Sequence, residues 1–271
     1  MDFEKEMKLF ADNTVVDWHE HVYFEEGTDR LNVEHCDQQA YIARQLFIDR
    51  MMICWLTTGH VTPESVERIN DMVHEAVLRH PDLYFGFCFV DPRHGKYACA
   101  EIDRCVSEYG FKGVKLYHQC RMDDPLQYPI IEKCIELDIP ILMHAGSRAN
   151  KHFLEEQPNL SDSKQFATIS RLYPEAVFLM GHIGGGGDWS WQLKGISECK
   201  NVFIDISGSI YDQGIVEATV AAFGADRVLF GTDGSYSSSV GKLLGAEIST
   251  DDKLKILSGP RFLKYIDKGD K

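Results

Sequence analysis

Positive charge is scarce in this chain: 28 Lys and Arg stand against 42 Asp and Glu, a net charge of −14 over 271 residues. With no basic stripe to neutralise phosphates, a nucleic-acid partner is not expected. Long apolar runs are missing too. The longest stretch without a charged side chain, Met51–Pro63, is 13 residues and polar in its second half, whereas a membrane helix needs about 20 apolar residues. The start, MDFEKEMKLF, lacks the apolar core of a signal peptide, so a cytoplasmic protein without a membrane partner is expected. The eight cysteines form no CxxC pair, and several, such as Cys54 and Cys88, sit in apolar runs. They read as reduced, buried thiols rather than a disulfide framework. No linker or low-complexity tract divides the chain, so residues 1–271 read as one domain.

What is present is alternation of short apolar runs with longer amphipathic ones. Strand candidates are Thr14–Trp18, Met51–Leu56, Tyr84–Val90, Gly113–Tyr117, Pro140–Ala145, Val177–Gly181, Val202–Ile206 and Val228–Thr232. They are rich in Val, Ile, Phe and Leu, as strands buried on both faces are. Helical periodicity marks Pro63–Arg79, Leu126–Leu137, Ser161–Leu172, Asp188–Cys199 and Asp212–Phe223. Strands interleaved with helices in this number predict an α/β fold, a (β/α)8 TIM barrel, with a doubly wound open sheet as the alternative.

A barrel of this kind carries its active site at the C-terminal ends of the strands. The first strand runs into Asp17-Trp18-His19-Glu20-His21, where alternation puts His19 and His21 on one face. The fifth run reaches His144, the sixth His182 and the eighth Asp233. Each alone has a bland reading: a core histidine, or a helix cap for Asp233. Together, four histidines and one carboxylate at strand ends suit a divalent ion, with Zn²⁺ expected first and Mn²⁺, Fe²⁺ or Co²⁺ also admissible.

The motifs VDWHEH, GFKGVKLY, ILMHAG, FLMGHIGG and LFGTD, in this order and spacing between Thr14 and Asp233, resemble the amidohydrolase superfamily and its small amidohydrolase-2-type members. The resemblance implies a distorted TIM barrel with metal ligands His19, His21, His144 and Asp233. It places His182 beside the metal, where it orients or deprotonates the attacking water. In two-metal members a lysine at the position of Lys115 is carboxylated and bridges the ions; the other reading is a lysine that contacts Asp17 or a substrate carboxylate. Relatives often carry His directly after GVKL, where this chain has Tyr117 and then His118.

Tyr117, His118 and Arg148 are weaker substrate-binding candidates, with Lys151 and His152 beside Arg148 and His60 on the rim. Gly184–Gly187 reads either as a phosphate cradle or as a tight turn, and Val22–Gln39 is long enough for a lid. His35, His74, His80 and His94 are given no role. The expected function is a metal-dependent hydrolase opening an amide, lactone or other ester of a small molecule, with Asp233 and His182 moving protons. The rival is non-hydrolytic decarboxylation of an aromatic or unsaturated acid, and a non-catalytic metal-binding scaffold is the third reading. Substrate identity and homo-oligomerisation are left open.

Overall fold

A computed structural model describes residues 3–146, 157–183, 189–208 and 210–266. Nine parallel strands among these form the lumen: β1 Val16–His21, β2 Arg50–Cys54, β3 Tyr84–Gly86, β4 Cys88–Phe89, β5 Val114–Leu116, β6 Ile141–His144, β7 Phe178–Gly181, β8 Val202–Asp205 and β9 Val228–Leu229. They pair in chain order as β1-β2-β3 and β4 through β9. The third expected strand is thus divided at Phe87, whose N–H turns to Ile53 O at 3.0 Å while Cys88 N–H turns to Gly113 O at 2.8 Å. One apolar run therefore serves both sheets. The opposite seam closes where Trp18 N–H donates to Phe230 O (2.9 Å) and Asp233 N–H donates to His19 O (2.7 Å). The chain is a (β/α)8 barrel, the architecture expected.

Helices cover the outside for reasons visible in sequence. Pro63–Arg79 starts with Thr62 accepting from Ser65 N–H and Pro63 in the first turn, and it buries Val66, Ile69, Met72, Val73 and Ala76 on one stripe. Ser163–Leu172 opens on a capping box between Asp162 and Gln165. Two expectations shrink: the helix expected over Asp188–Cys199 is regular only at Trp189–Gln192, and the last strand only at Val228–Leu229. The N-terminal helix Phe3–Ala11 was not expected. All eight cysteines are free, as expected, and seven are buried. No described helix is long and apolar enough to cross a membrane.

Strand alternation sorts the side chains into two shells. Outward residues such as Ile53, Val114, Met143, Met180 and Ile204 pack against the helices. Inward residues Val16, Trp18, Met52, Phe85, Phe87, Leu142, Leu179, Phe203 and Leu229 fill the lower lumen, which Phe262, from beyond the last strand, plugs from below.

Candidate metal centre and active site

The inward rows change character one step above this floor. Leu142 is followed on the same face by His144, Phe203 by Asp205, Leu179 by Gly181 and Leu229 by Gly231. The two glycines make room. A Cβ on Gly181 would stand 3.0 Å from His19 Cε1, and one on Gly231 3.1 Å from His19 Cβ. On β1 the register shifts between Asp17 and Glu20. The shift lets Trp18 join the floor while its neighbour His19 reaches Lys115 and Asp205 above it. Strict alternation, which puts His19 and His21 on one face, would turn Trp18 to the other; the bulge corrects this, and His19 and His21 still converge.

His19, His21 and Asp233 bring their ligand atoms within 4.8 Å of one another. Asp233 Oδ1 lies 3.0 Å from His21 Nε2 and 3.8 Å from His19 Nε2. Two imidazole nitrogens and a carboxylate oxygen at this spacing fit a divalent cation. His144 is not part of that group; its Nδ1 lies 2.9 Å from His182 Nε2. His182 Nδ1 lies 2.8 Å from Ser207 Oγ and 3.7 Å from Asp233 Oδ2, and its ring stacks on His19 at 4.9 Å. Lys115, fully buried, places Nζ 2.8 Å from His19 Nε2.

The backbone is strained at the same place. His182 (φ 72°) and Asp233 (φ 47°) adopt left-handed conformations, which for residues other than glycine cost on the order of 1–3 kcal/mol. They are held there by His182 N–H to Asp205 Oδ1 (3.0 Å) and Asp233 N–H to His19 O (2.7 Å). Behind them, the Thr232 hydroxyl lies within hydrogen-bond distance of both buried Asp17 Oδ2 and buried Glu20 Oε2 and has one hydrogen for the two. Burial raises both carboxyls, and for Asp17 the neighbouring Glu20 adds to the rise.

Burial sets most of the electrostatics. It lowers His19, with Lys115 adding to the effect, and lowers His144 strongly; it pushes His182 down to about 4. Lys115 is lowered by the same cause. Burial also opposes charge on Asp233 and Asp205, but the surrounding imidazoles outweigh it and hold both below the carboxylate range. His21 is lowered by burial, yet Cys54 and Asp233 push it up to about 10. A metal entering here displaces protons, so its binding is pH-dependent.

Other expected residues fall as follows. The Tyr117 ring packs edge-on against His144 at 5.0 Å, and its hydroxyl accepts from Gln157 Nε2 at 3.2 Å. His118 is buried, with no hydrogen-bond partner for Nε2 among the described residues. Arg148, Lys151, His152 and Gly184–Gly187 lie outside the described residues. His60 Nδ1 stands 3.4 Å from Arg93 Nη1, and His74 stacks on Tyr109. The segment expected as a lid divides into a turn bridged at Phe24 and Leu31 and the helix Val33–Gln45, from which Gln39 Nε2 donates to His21 O (2.8 Å).

Sequence reasoning missed Asp205 and Ser207. Asp205 accepts from His19 Nδ1 (2.9 Å), His182 N–H (3.0 Å), Ser207 N–H (2.9 Å) and the Ser207 hydroxyl. The signal was there: Asp205 is one more acidic residue near a strand end. It lies inside the expected strand Val202–Ile206 rather than just past its end, where His19, His182 and Asp233 stand out on theirs.

The chain is similar to several known enzymes. Gamma-resorcylate decarboxylase of Polaromonas sp. (strain JS666) is 25% identical over 224 residues, 65% of this chain and 67% of the relative. The 2-keto-4-carboxy-3-hexenedioate hydratase of Sphingobium sp. is 24% identical over 227 residues, 70% of this chain and 64% of the relative. The chain thus spans about two thirds of the length of these relatives. Among solved structures, dihydroxybenzoic acid decarboxylase from Polaromonas sp. JS666, with bound manganese and the inhibitor 2-nitroresorcinol, superposes with a TM-score of 0.73 at 19% identity. That match covers 94% of this chain and 97% of the other. These names overturn the hydrolase expectation in favour of its rival, decarboxylation. Strand-end ligands of one type can activate a water or a substrate oxygen, so they do not encode which bond breaks. Residues 16–258 match the amidohydrolase family model, and the chain belongs to that family.

Proposed function

We propose that this protein is a metal-dependent, non-hydrolytic decarboxylase of an aromatic or unsaturated carboxylic acid, with His19, His21, His144 and Asp233 as metal ligands. The observation that carries the reading is the buried Lys115 ammonium beside His19 and the metal group. An acid substrate needs a cationic group to hold it, and a buried cation beside the metal group can hold the substrate's anionic oxygens and offset the charge left behind when neutral CO₂ departs. The names of the relatives support the same reaction. Lys115 is assigned to substrate rather than to a carboxylated bridge: a metal held by His19 Nε2 would take the nitrogen that Nζ now contacts at 2.8 Å and leave Nζ to meet the substrate.

When bound, a divalent ion would polarise the substrate's oxygens and offset their charge. The manganese in the Polaromonas structure supports Mn²⁺ over the zinc first expected, and mixed nitrogen and oxygen donors accept it. In the reaction the C–CO₂ bond breaks, its electron pair stays on the carbon, and a proton arrives there; no water is consumed. Asp233 takes a proton from a substrate hydroxyl or solvent and delivers it to that carbon. His182, fixed between Ser207 and His144, holds the wall of the pocket beside Asp233. Tyr117, packed on His144, gives a flat ring a partner.

The test is turnover of a panel of hydroxybenzoates and unsaturated dicarboxylates by Mn²⁺-loaded protein in D₂O. One CO₂ per product, with one deuterium at the vacated carbon, is expected. Products that keep every carboxylate and gain a water would replace decarboxylation by hydration.

A further inference from the structure

We propose that Asp205 and Ser207 are positioning residues that set the tautomers of three histidines at once: His19 directly, His182 through the Ser207 hydroxyl, and His144 through His182. The inference follows from counting hydrogens. An ionised carboxylate only accepts, and a serine hydroxyl has one hydrogen to give. The Ser207 hydroxyl gives its hydrogen to Asp205 Oδ1, so toward His182 Nδ1, 2.8 Å away, it can only accept. His182 therefore carries its hydrogen on Nδ1 and a lone pair on Nε2. That lone pair faces His144 Nδ1 at 2.9 Å, so His144 must donate from Nδ1, which leaves its Nε2 as the lone-pair nitrogen.

The second branch starts at the other oxygen of the same carboxylate. His19 Nδ1 donates to Asp205 Oδ2 at 2.9 Å, which leaves His19 Nε2 as the lone-pair nitrogen. The Lys115 contact agrees with this: as an ammonium it has hydrogens and no lone pair, and its Nζ stands 2.8 Å from His19 Nε2. A ligating imidazole must offer an unprotonated nitrogen. One buried carboxylate thus readies His19 and His144 for a metal. His19, His182 and Asp205 also bring ligand-type atoms within 4.8 Å of one another, and the same order makes them a hydrogen-bonded unit rather than a second ion site.

The support for Ser207 is built as firmly as the relay. Lys242 Nζ donates to Ser207 O (3.1 Å) and Gly208 O (3.0 Å). Gly208, at φ 86°, lies so close that a Cβ there would be 3.1 Å from His182 Cβ. Partners behind metal-binding histidines fix ring orientation, and their loss typically costs about 10–100-fold in metal affinity.

The proposal rests on the metal-site reading of the mouth but not on the reaction. The experiment uses metal-stripped, ¹⁵N-histidine-labelled protein without substrate, so failure to decarboxylate any acid would leave it standing. Long-range ¹H–¹⁵N correlations, assigned with single His→Gln variants, distinguish Nδ1–H from Nε2–H rings. The expected wild-type result is Nδ1–H at His19, His144 and His182. Ser207→Ala should move His182 and His144 away from that state together, leave His19 in it, and weaken Mn²⁺ binding by about tenfold; Ser207→Thr should restore those two rings and the affinity. An Nε2–H ring at His182 or His144 in the wild type overturns the proposal, and that measurement does not depend on any Ser207 variant. Unchanged spectra in folded Ser207→Ala overturn it equally.

Discussion

Leu142 and His144 stand two residues apart on one strand and face the same lumen, yet they belong to regions governed by different forces. Below, the floor is apolar and aromatic: Trp18 meets Phe85 and Phe262 edge-on at 5.5 and 5.1 Å, and Phe203 meets Phe262 at 4.6 Å. Burial of such rings stabilises without any need for exact charge pairing. Above, Asp17, Glu20, Lys115 and Asp205 are all removed from water, a costly arrangement unless each group is hydrogen-bonded or paired. The left-handed backbone at His182 and Asp233 belongs to this upper layer as well. The floor supplies stability and the mouth spends it on a fixed polar geometry.

Four measurements break or sharpen that division. The largest effect is expected at Asp233→Asn, which keeps the shape but cannot carry a proton. Turnover should fall by roughly 10²–10⁴-fold, with the melting temperature nearly unchanged; activity within about threefold of wild type would end the proton-carrier assignment.

Phe262→Ala should do the reverse. Removing the plug costs about 3–5 kcal/mol of stability, a fall of roughly 10 °C in melting temperature, while Mn²⁺ affinity of the folded fraction holds. Calorimetry beside metal titration tests this, and a loss of metal binding without loss of stability would show that the two layers are not separate.

Gly181→Ala lies on the boundary. Its new methyl would press on His19 Cε1 at 3.0 Å, so metal affinity should drop by about tenfold with little change in melting temperature. Equal affinity would mean that His19 can yield without losing its ligand geometry.

The smallest effect belongs to the surface, away from both layers. Asp37 accepts from Arg79 and His80, and chiefly the Arg79 hydrogen bonds lower its pKa from 3.8 to about 2. A depressed carboxyl gives stability that is full above its ordinary value and lost as pH falls from about 4 toward about 2. Because the pair is exposed, solvent screens most of it. Asp37→Asn should therefore lower the melting temperature slightly at pH 6 and not at pH 2; a constant deficit would point to packing instead.

Much of the scaffold was legible because its signals are local. The Thr62-Pro63 start and the spacing of Val66, Ile69 and Val73 specify a helix without help from the rest of the chain, and Pro63–Arg79 is helical over the range expected. Strand cores at Ile141–His144 and Phe178–Gly181 fall within their expected runs. The short last strand was not legible: Phe230 and Thr232 turn their hydrogen bonds to Ile256, Asp17 and Glu20, partners far away in sequence. The inward turn of His19 beside Trp18 was hidden for the same reason, since a bulge depends on what the neighbouring strand pairs with.

The sequence by itself determined the barrel and the residue types at its rim, because a period of two or of 3.6 and a histidine at a strand end are properties of adjacent residues. Only the tertiary structure decided which of those residues act together. It put Asp233 between His21 and His182, drew His144 against His182, and revealed Asp205 as the common acceptor behind His19 and His182. Contacts in this layer join residues as many as 215 positions apart, as Thr232 N–H and Asp17 are. Ring closure sets their distances, and no local pattern encodes it.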